Sequence, residues 1–322
     1  MFHMEFITTF KTTLSATVQI FLMGSCGYFL VKRKVINDNG LVILSRLVIS
    51  LFFPLFTFHQ LTNHFSFSVY QNWWIFPLIS FGVTLGGFLI GWLTAQCFKN
   101  IPFQKEFIAL TGFQNSGFIP LMLVATMFTG ELAQKLYIYI FLFLVGFDLV
   151  MWSFGVWFLT KSKSAKFDLT NLLYSPFTAI VISLLLVLFG WNQAIPEVLK
   201  TPIKMFGDCA LPMAVFVVGG NLAMIDIFSS NQREIILAML SKLVFFPLLA
   251  FLFVLTFHID KFIGFLIILQ AAVPSANSLS VIARRHQIDD QFLNQGIFFT
   301  NIASIITLPV FLTLYMQLVS FY

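Results

Sequence analysis

Two stretches of this 322-residue chain carry residue types that could hold a solute: TGFQNSGFIPLM, with Gln114, Asn115, Ser116, Gly117 and Pro120, and LQAAVPSANSLSV, with Gln270, Pro274, Ser275 and Asn277. Proline has no amide donor and its ring crowds the carbonyl one turn back. A helix carrying either stretch should therefore break, and Gly112, Gly117, Ala276 and Ser278 allow an unwound segment there. The second half of a broken helix begins with unpaired amides and a partial positive charge, which suits an anion such as a carboxylate. Asn115 and Asn277 would add side-chain donors, with Gln114, Ser116 and Ser275 beside them and Gln270 in reserve. Amides can instead tie helices together for about 0.6–2 kcal/mol, but an amide beside a helix breaker, found twice, favours substrate binding.

Four charges fall inside apolar sequence: Arg46, Asp148, Asp208 and Lys242. Each costs about 2.5–3.5 kcal/mol at mid-bilayer unless paired or hydrated. Arg46, near a span end, is expected to snorkel. Asp208, four residues before Pro212, is a candidate counter-ion for Lys242 or a proton acceptor, and Asp148 is a third coupling candidate, either neutral or paired. Glu106 begins a span and reads as a dipole partner.

His3, His59, His64, His258 and His286 are scattered without metal-ligand spacing, so no metal site is expected. Cys26, Cys97 and Cys209 form no CxxC and read as buried, inert thiols. GxxxxGK[ST] and GxSxG are both absent, so neither an enzyme nor an ATP-driven pump is supported. No cofactor is expected beyond coupling to protons or sodium.

The elements that must position these residues follow from composition: 59% hydrophobic, 10% charged and 43 Phe, with a mean hydropathy of +0.92. A soluble domain carries about 25% charged residues, so this chain lies in a lipid bilayer. Its apolar blocks are too long and too unbroken for barrel strands, and the expected class is an all-α integral membrane protein. Ten blocks reach spanning length, at 12–31, 41–61, 73–96, 104–128, 134–160, 175–192, 202–224, 235–257, 262–283 and 293–319. The first is followed, not preceded, by Lys32-Arg33-Lys34, so it reads as a retained span.

Eleven Lys and Arg lie in the odd-numbered connections and four in the even-numbered ones. The odd connections are therefore cytoplasmic and both termini face outward. That placement accounts for the net charge of +5 without a nucleic-acid partner.

Five spans per half make the halves oppositely oriented, as in inverted-repeat transporters. The expected division is a first five-helix repeat over 1–160, a cytoplasmic linker over 161–174 and a second repeat over 175–322. Pro54 pairs with Pro212, Pro77 with Pro247, and Asn115 with Pro120 pairs with Asn277 with Pro274.

FQNSGFIPL, DCALPMAVFVVGGNL, KLVFFPLLA, AAVPSANSLSVIARRH and ASIITLPVF, in that order, resemble the auxin efflux carrier family over about residues 12–319. That family includes plant auxin exporters and bacterial permeases for malate and malonate. The resemblance implies the ten-helix fold of the bile-acid sodium symporters, with broken spans four and nine crossing at the substrate and one bundle moving as an elevator. Asn115, Pro120, Pro274 and Asn277 fall on that crossing. The chain lacks the long cytoplasmic loop of many plant members and fits the short bacterial type.

The expected function is secondary transport of small organic anions, mono- or dicarboxylates such as malate or auxin-like weak acids, across a bacterial cytoplasmic membrane. A homodimer is compatible with such a carrier. The alternatives are a sodium-coupled symporter of the bile-acid-like group and a membrane ligand sensor that transports nothing.

Overall fold

A computed structural model describes residues 2–97, 103–160, 176–225 and 232–321. The expected linker over 161–174 lies outside the described residues, as does the side chain of Cys97.

Helix α1 is Phe2–Lys32, α2 Asp38–His64 and α3 Ile75–Cys97. Two short helices follow, α4 at Gln104–Gly112 and α5 at Phe118–Met127, and then the long α6 at Gly130–Thr160. The chain continues through α7, Pro176–Leu188, α8, Glu197–Ala223, and α9, Gln232–Thr256. A second short pair, α10 at Lys261–Ala272 and α11 at Ser278–Arg285, precedes the final α12 at Gln291–Leu318.

Seven of these, α1, α2, α3, α6, α8, α9 and α12, are long and apolar enough to cross a membrane. The described residues form an all-helical, multi-pass membrane protein with no strand beyond one isolated bridge. The remaining three predicted blocks differ from the sequence expectation in a consistent way. Spans four and nine are each two half-helices, and the described part of the sixth block is the helix Pro176–Leu188.

The prolines explain several local departures, because a residue without an amide cannot continue the hydrogen-bond ladder. Pro54 and Pro247 each follow a π-helical turn, Val48–Phe52 in α2 and Ser241–Phe245 in α9, which absorbs the missing bond in a wider ring. Pro77 lies in the first turn of α3, where no donor is needed. Before Pro212, α8 tightens at Cys209, whose amide bonds to Phe206 O at 3.2 Å. Pro77 and Pro247, paired by sequence, thus have unlike effects, because the first stands in an opening turn and the second in mid-helix. α6 has a π turn at Met151–Gly155 without proline, beside Ser153, whose hydroxyl bonds back to the Leu149 carbonyl.

Aromatic rings fill the interior: Phe53, Phe107, Phe113, Phe141, Phe143 and Phe265 are fully buried. α1 and α8 approach backbone to backbone. A Cβ at Gly27 would collide with the Phe216 carbonyl, and one at Gly219 with the Gly24 carbonyl, so only glycine permits this crossing. Outward faces are apolar, with Leu22, Phe29, Leu85, Trp92 and Ile306 exposed, as acyl chains require.

The thiols correct the expectation of burial. Cys26 and Cys209 are exposed, since an outward face bathed in lipid accepts a thiol as readily as a core does. Arg46 is exposed in α2, and Glu106 sits in the first turn of α4.

Candidate functional site

The two interruptions meet. α4 ends at Gly112 and α5 starts at Phe118, while α10 ends at Ala272 and α11 starts at Ser278. The backbone between each pair is extended and lies antiparallel to the other, with Gln114 bridged to Ser275. Asn115 N–H donates to Pro274 O at 2.8 Å and Ala276 N–H donates to Phe113 O at 3.0 Å. Segments far apart in the chain thus satisfy each other's backbone where neither has helical partners.

Proline chemistry explains the cross-links around this exchange. Pro120 occupies the third position of α5, where its missing amide costs nothing, and it leaves the Ser116 carbonyl unpaired within its own helix. Gln270 Nε2 donates to that carbonyl at 3.1 Å, so Gln270 fastens α10 to the start of α5 rather than standing in reserve for a ligand. Ser275 Oγ donates to Leu110 O at 2.6 Å, and Ser275 N–H donates to Thr300 Oγ1 of α12 at 3.3 Å. Ser116 Oγ bonds to Gln114 O at 3.4 Å. Ser275 is thus committed to holding the crossing, while the Ser116 contact stays within its own segment.

Three amide side chains are different. Gln114 is fully buried and neither Oε1 nor Nε2 has a partner in the protein. Asn115 is buried with an unpartnered Nδ2, and Asn277, half-buried, also has an unpartnered Nδ2. The starts of α5 and α11, flanked by Gly117 and Asn277, receive no side-chain cap. Buried polar groups are nearly always satisfied in folded proteins, and this crossing gathers several that are not.

The register corrects the sequence pairing of the two asparagines. The exchanged bonds make Gln114 opposite to Ser275 and relate Asn115 to Ala276 and Ser116 to Asn277. Asn115 and Asn277 therefore occupy neighbouring but inequivalent places, because equal numbers of residues do not separate the prolines from the breaks.

A cavity of about 230 Å³ adjoins the start of α5. Phe118, Ile119, Tyr28, Val215, Phe298 and Asn301 are among its lining residues, and it is almost wholly apolar.

The charged candidates separate. Asp208 does not meet Lys242. Its carboxylate pairs with Lys204 one turn earlier at 2.8 Å, with both side chains more than half exposed. Lys242 is fully buried in the π turn of α9 and its Nζ donates to Ala271 O at 3.3 Å. Asp148 is buried in α6, where its carboxylate accepts from the Phe177 amide in the first turn of α7, a dipole-favoured position.

Sequence reasoning passed over Thr300, because a threonine in an apolar helix ordinarily bonds only to its own helix. Thr300 Oγ1 does so, to Gly296 O at 2.7 Å, while accepting from Ser275. The Lys204–Asp208 spacing of four on one helix was a legible signal for that pair. No group of acidic, His or Cys side chains able to hold a metal occurs among the described residues.

An all-helical, multi-pass membrane protein with interrupted helices crossing in its interior is the class that this architecture defines. The family described as "Membrane transport protein" matches residues 12–172 and 164–312. The chain belongs to that family, which is the auxin efflux carrier type. It is 27% identical to Protein PIN-LIKES 6 of Arabidopsis thaliana over 122 residues, covering 37% of this chain and 28% of the relative. An uncharacterized transporter of Schizosaccharomyces pombe is 24% identical over 120 residues, covering 37% of this chain and 26% of the relative. The chain thus matches little more than a quarter of the length of either relative.

Proposed function

We propose that this transporter carries small organic anions, mono- or dicarboxylates, with the carboxylate bound at the crossing of α4–α5 and α10–α11. The observation that carries the reading is the set of unpartnered buried amides on Gln114, Asn115 and Asn277 beside two uncapped helix starts. Donors without acceptors, together with the positive ends of half-helices, favour an anion over a cation or a neutral solute. The apolar cavity beside Phe118 and Ile119 favours an acid with one carboxylate and an apolar body, of which auxin-like acids are one type, over a compact dicarboxylate such as malate.

Transport in this reading is secondary and follows an elevator cycle, in which the crossing helices travel with the anion against the remaining spans. The spans form a five-plus-five inverted repeat in a bacterial cytoplasmic membrane, with both termini outside. Support comes from the family and from the eleven-to-four charge bias.

The test is thermal stabilisation of purified protein by L-malate, malonate and indole-3-acetate, since a ligand of the native state raises its stability by mass action. Indole-3-acetate should raise the unfolding temperature and its amide should not. Equal stabilisation by acid and amide, or by neither acid class, would remove the carboxylate from the crossing.

A further inference from the structure

We propose that Lys242 is a built-in substitute for a coupling cation, occupying the corner at the carbonyl end of α10 so that anion binding needs no sodium. The part that concerns the anion rests on the function proposed above.

Ala271 is the penultimate residue of α10. The last four carbonyls of a helix have no partner within it and carry its partial negative charge. In membrane carriers such half-helix C-terminal ends are where sodium or protons are held. Here the Ala271 carbonyl instead receives the Lys242 ammonium, at 3.3 Å.

Two further oxygens on the flanking residues are buried and unpartnered: Ser241 Oγ, next to Lys242 in the π turn, and Gln270 Oε1, next to Ala271. The oxygen that Lys242 meets is the Ala271 carbonyl, and an uncapped carbonyl end of this kind is a ligand for a hard monovalent cation. The π turn of α9 packs against α3, α4, α10 and α12, so the corner is enclosed on all sides.

Among the described residues Lys242 has no acid of its own. Asp208 is engaged by Lys204, and none of the described carboxylates stands within ion-pair distance of Lys242. Beyond Ala271 it meets the Phe246 ring, 4.8 Å away. A protonated Lys242 held by a carbonyl and an aromatic face, with no counter-ion among the described residues, would give an arriving carboxylate the charge balance that a sodium-coupled carrier obtains from solution.

The experiment compares wild type with Lys242→Ala, Lys242→Met and Lys242→Arg in NaCl, KCl and choline chloride at equal ionic strength. It reads unfolding temperature with sodium alone as probe, and then the affinity for indole-3-acetate and L-malate. Wild type and Lys242→Arg should show no sodium-specific stabilisation and the same anion affinity in all three salts. Lys242→Ala, which vacates the corner, should gain a sodium-specific rise in unfolding temperature. Its anion affinity should fall about tenfold or more in choline and recover in NaCl. Lys242→Met, apolar and nearly as large, should lose affinity without sodium rescue.

Sodium-dependent anion binding by wild type would overturn the proposal. So would a Lys242→Ala protein that keeps wild-type affinity in choline. If Lys242→Ala folds in no salt, a folded Lys242→Met with unaltered affinity would make Lys242 a packing strut and equally overturn it. Should wild type bind neither probe anion in any salt, the organic-anion reading fails, while the sodium response of Lys242→Ala still judges the cation corner.

Discussion

Gln114 has a fully buried amide with neither end satisfied, and stability and binding pull it in opposite directions. An unsatisfied buried polar group costs about 1–3 kcal/mol. Gln114→Met should therefore raise the unfolding temperature of the ligand-free protein while weakening anion binding, and a combined thermal and binding titration reads both. Loss of stability with unchanged binding would make Gln114 a structural residue. For Asn115→Ala and Asn277→Ala, a lost hydrogen bond to a charged group is worth about 1.5–3 kcal/mol. Affinity for indole-3-acetate should fall about 10- to 150-fold by the same free-energy scale, at near-normal stability. Unchanged affinity in both would leave these side chains as helix-to-helix contacts. At this scale the sequence shows which residue types accompany a helix breaker, so Asn115, Pro274 and Asn277 were legible. It does not show side-chain direction. Gln270 spends its amide on the Ser116 carbonyl, and Thr300 reaches Ser275, only because separate helices come together.

Among the helices, the contact of α1 with α8 is the most exacting, since Gly24, Gly27 and Gly219 allow backbone to touch backbone. Gly219→Ala should destabilise by about 1–3 kcal/mol, the usual cost of overpacking, whereas Gly82→Ala on α3, with nothing near its missing Cβ, should be neutral. Thermal unfolding of both variants checks this, and equal stability would mean that α1 and α8 can slide apart at little cost. Helix existence was readable from unbroken apolar blocks, and so were the breaks in spans four and nine. Helix length was not. α7 ends at Leu188 although its block runs to 192, because hydropathy marks what lipid or core tolerates and not where hydrogen bonding stops. The unlike effects of Pro77 and Pro247 have the same origin, since spacing along the chain does not reveal distance from a helix start.

For the molecule as a whole, orientation rests on charge. Single cysteines in a cysteine-free variant at Lys34, Lys163 or Arg285 should react with an impermeant thiol reagent only from the cytoplasmic side, and one at Lys200 only from outside. Outside labelling at Lys163 would contradict opposite orientation of the two halves. That the chain is an all-helical, multi-pass membrane protein was legible in composition, because no other arrangement hides so many apolar residues. What joins the halves was not, since a two-bond antiparallel contact between Asn115 and Pro274 and between Phe113 and Ala276 leaves no trace in either segment alone. That contact also sets a schedule for biogenesis. The amide of Asn115 leaves the ribosome about 160 residues before the carbonyl of Pro274, a delay of about 8–30 s at ordinary synthesis rates. Throughout that interval the first crossing segment sits in the membrane with its donors unmet. A chain that stalls or is truncated before Pro274 would then carry exposed polar backbone in lipid and no transport site at all, so membrane quality control would meet an unambiguous signal of incompleteness.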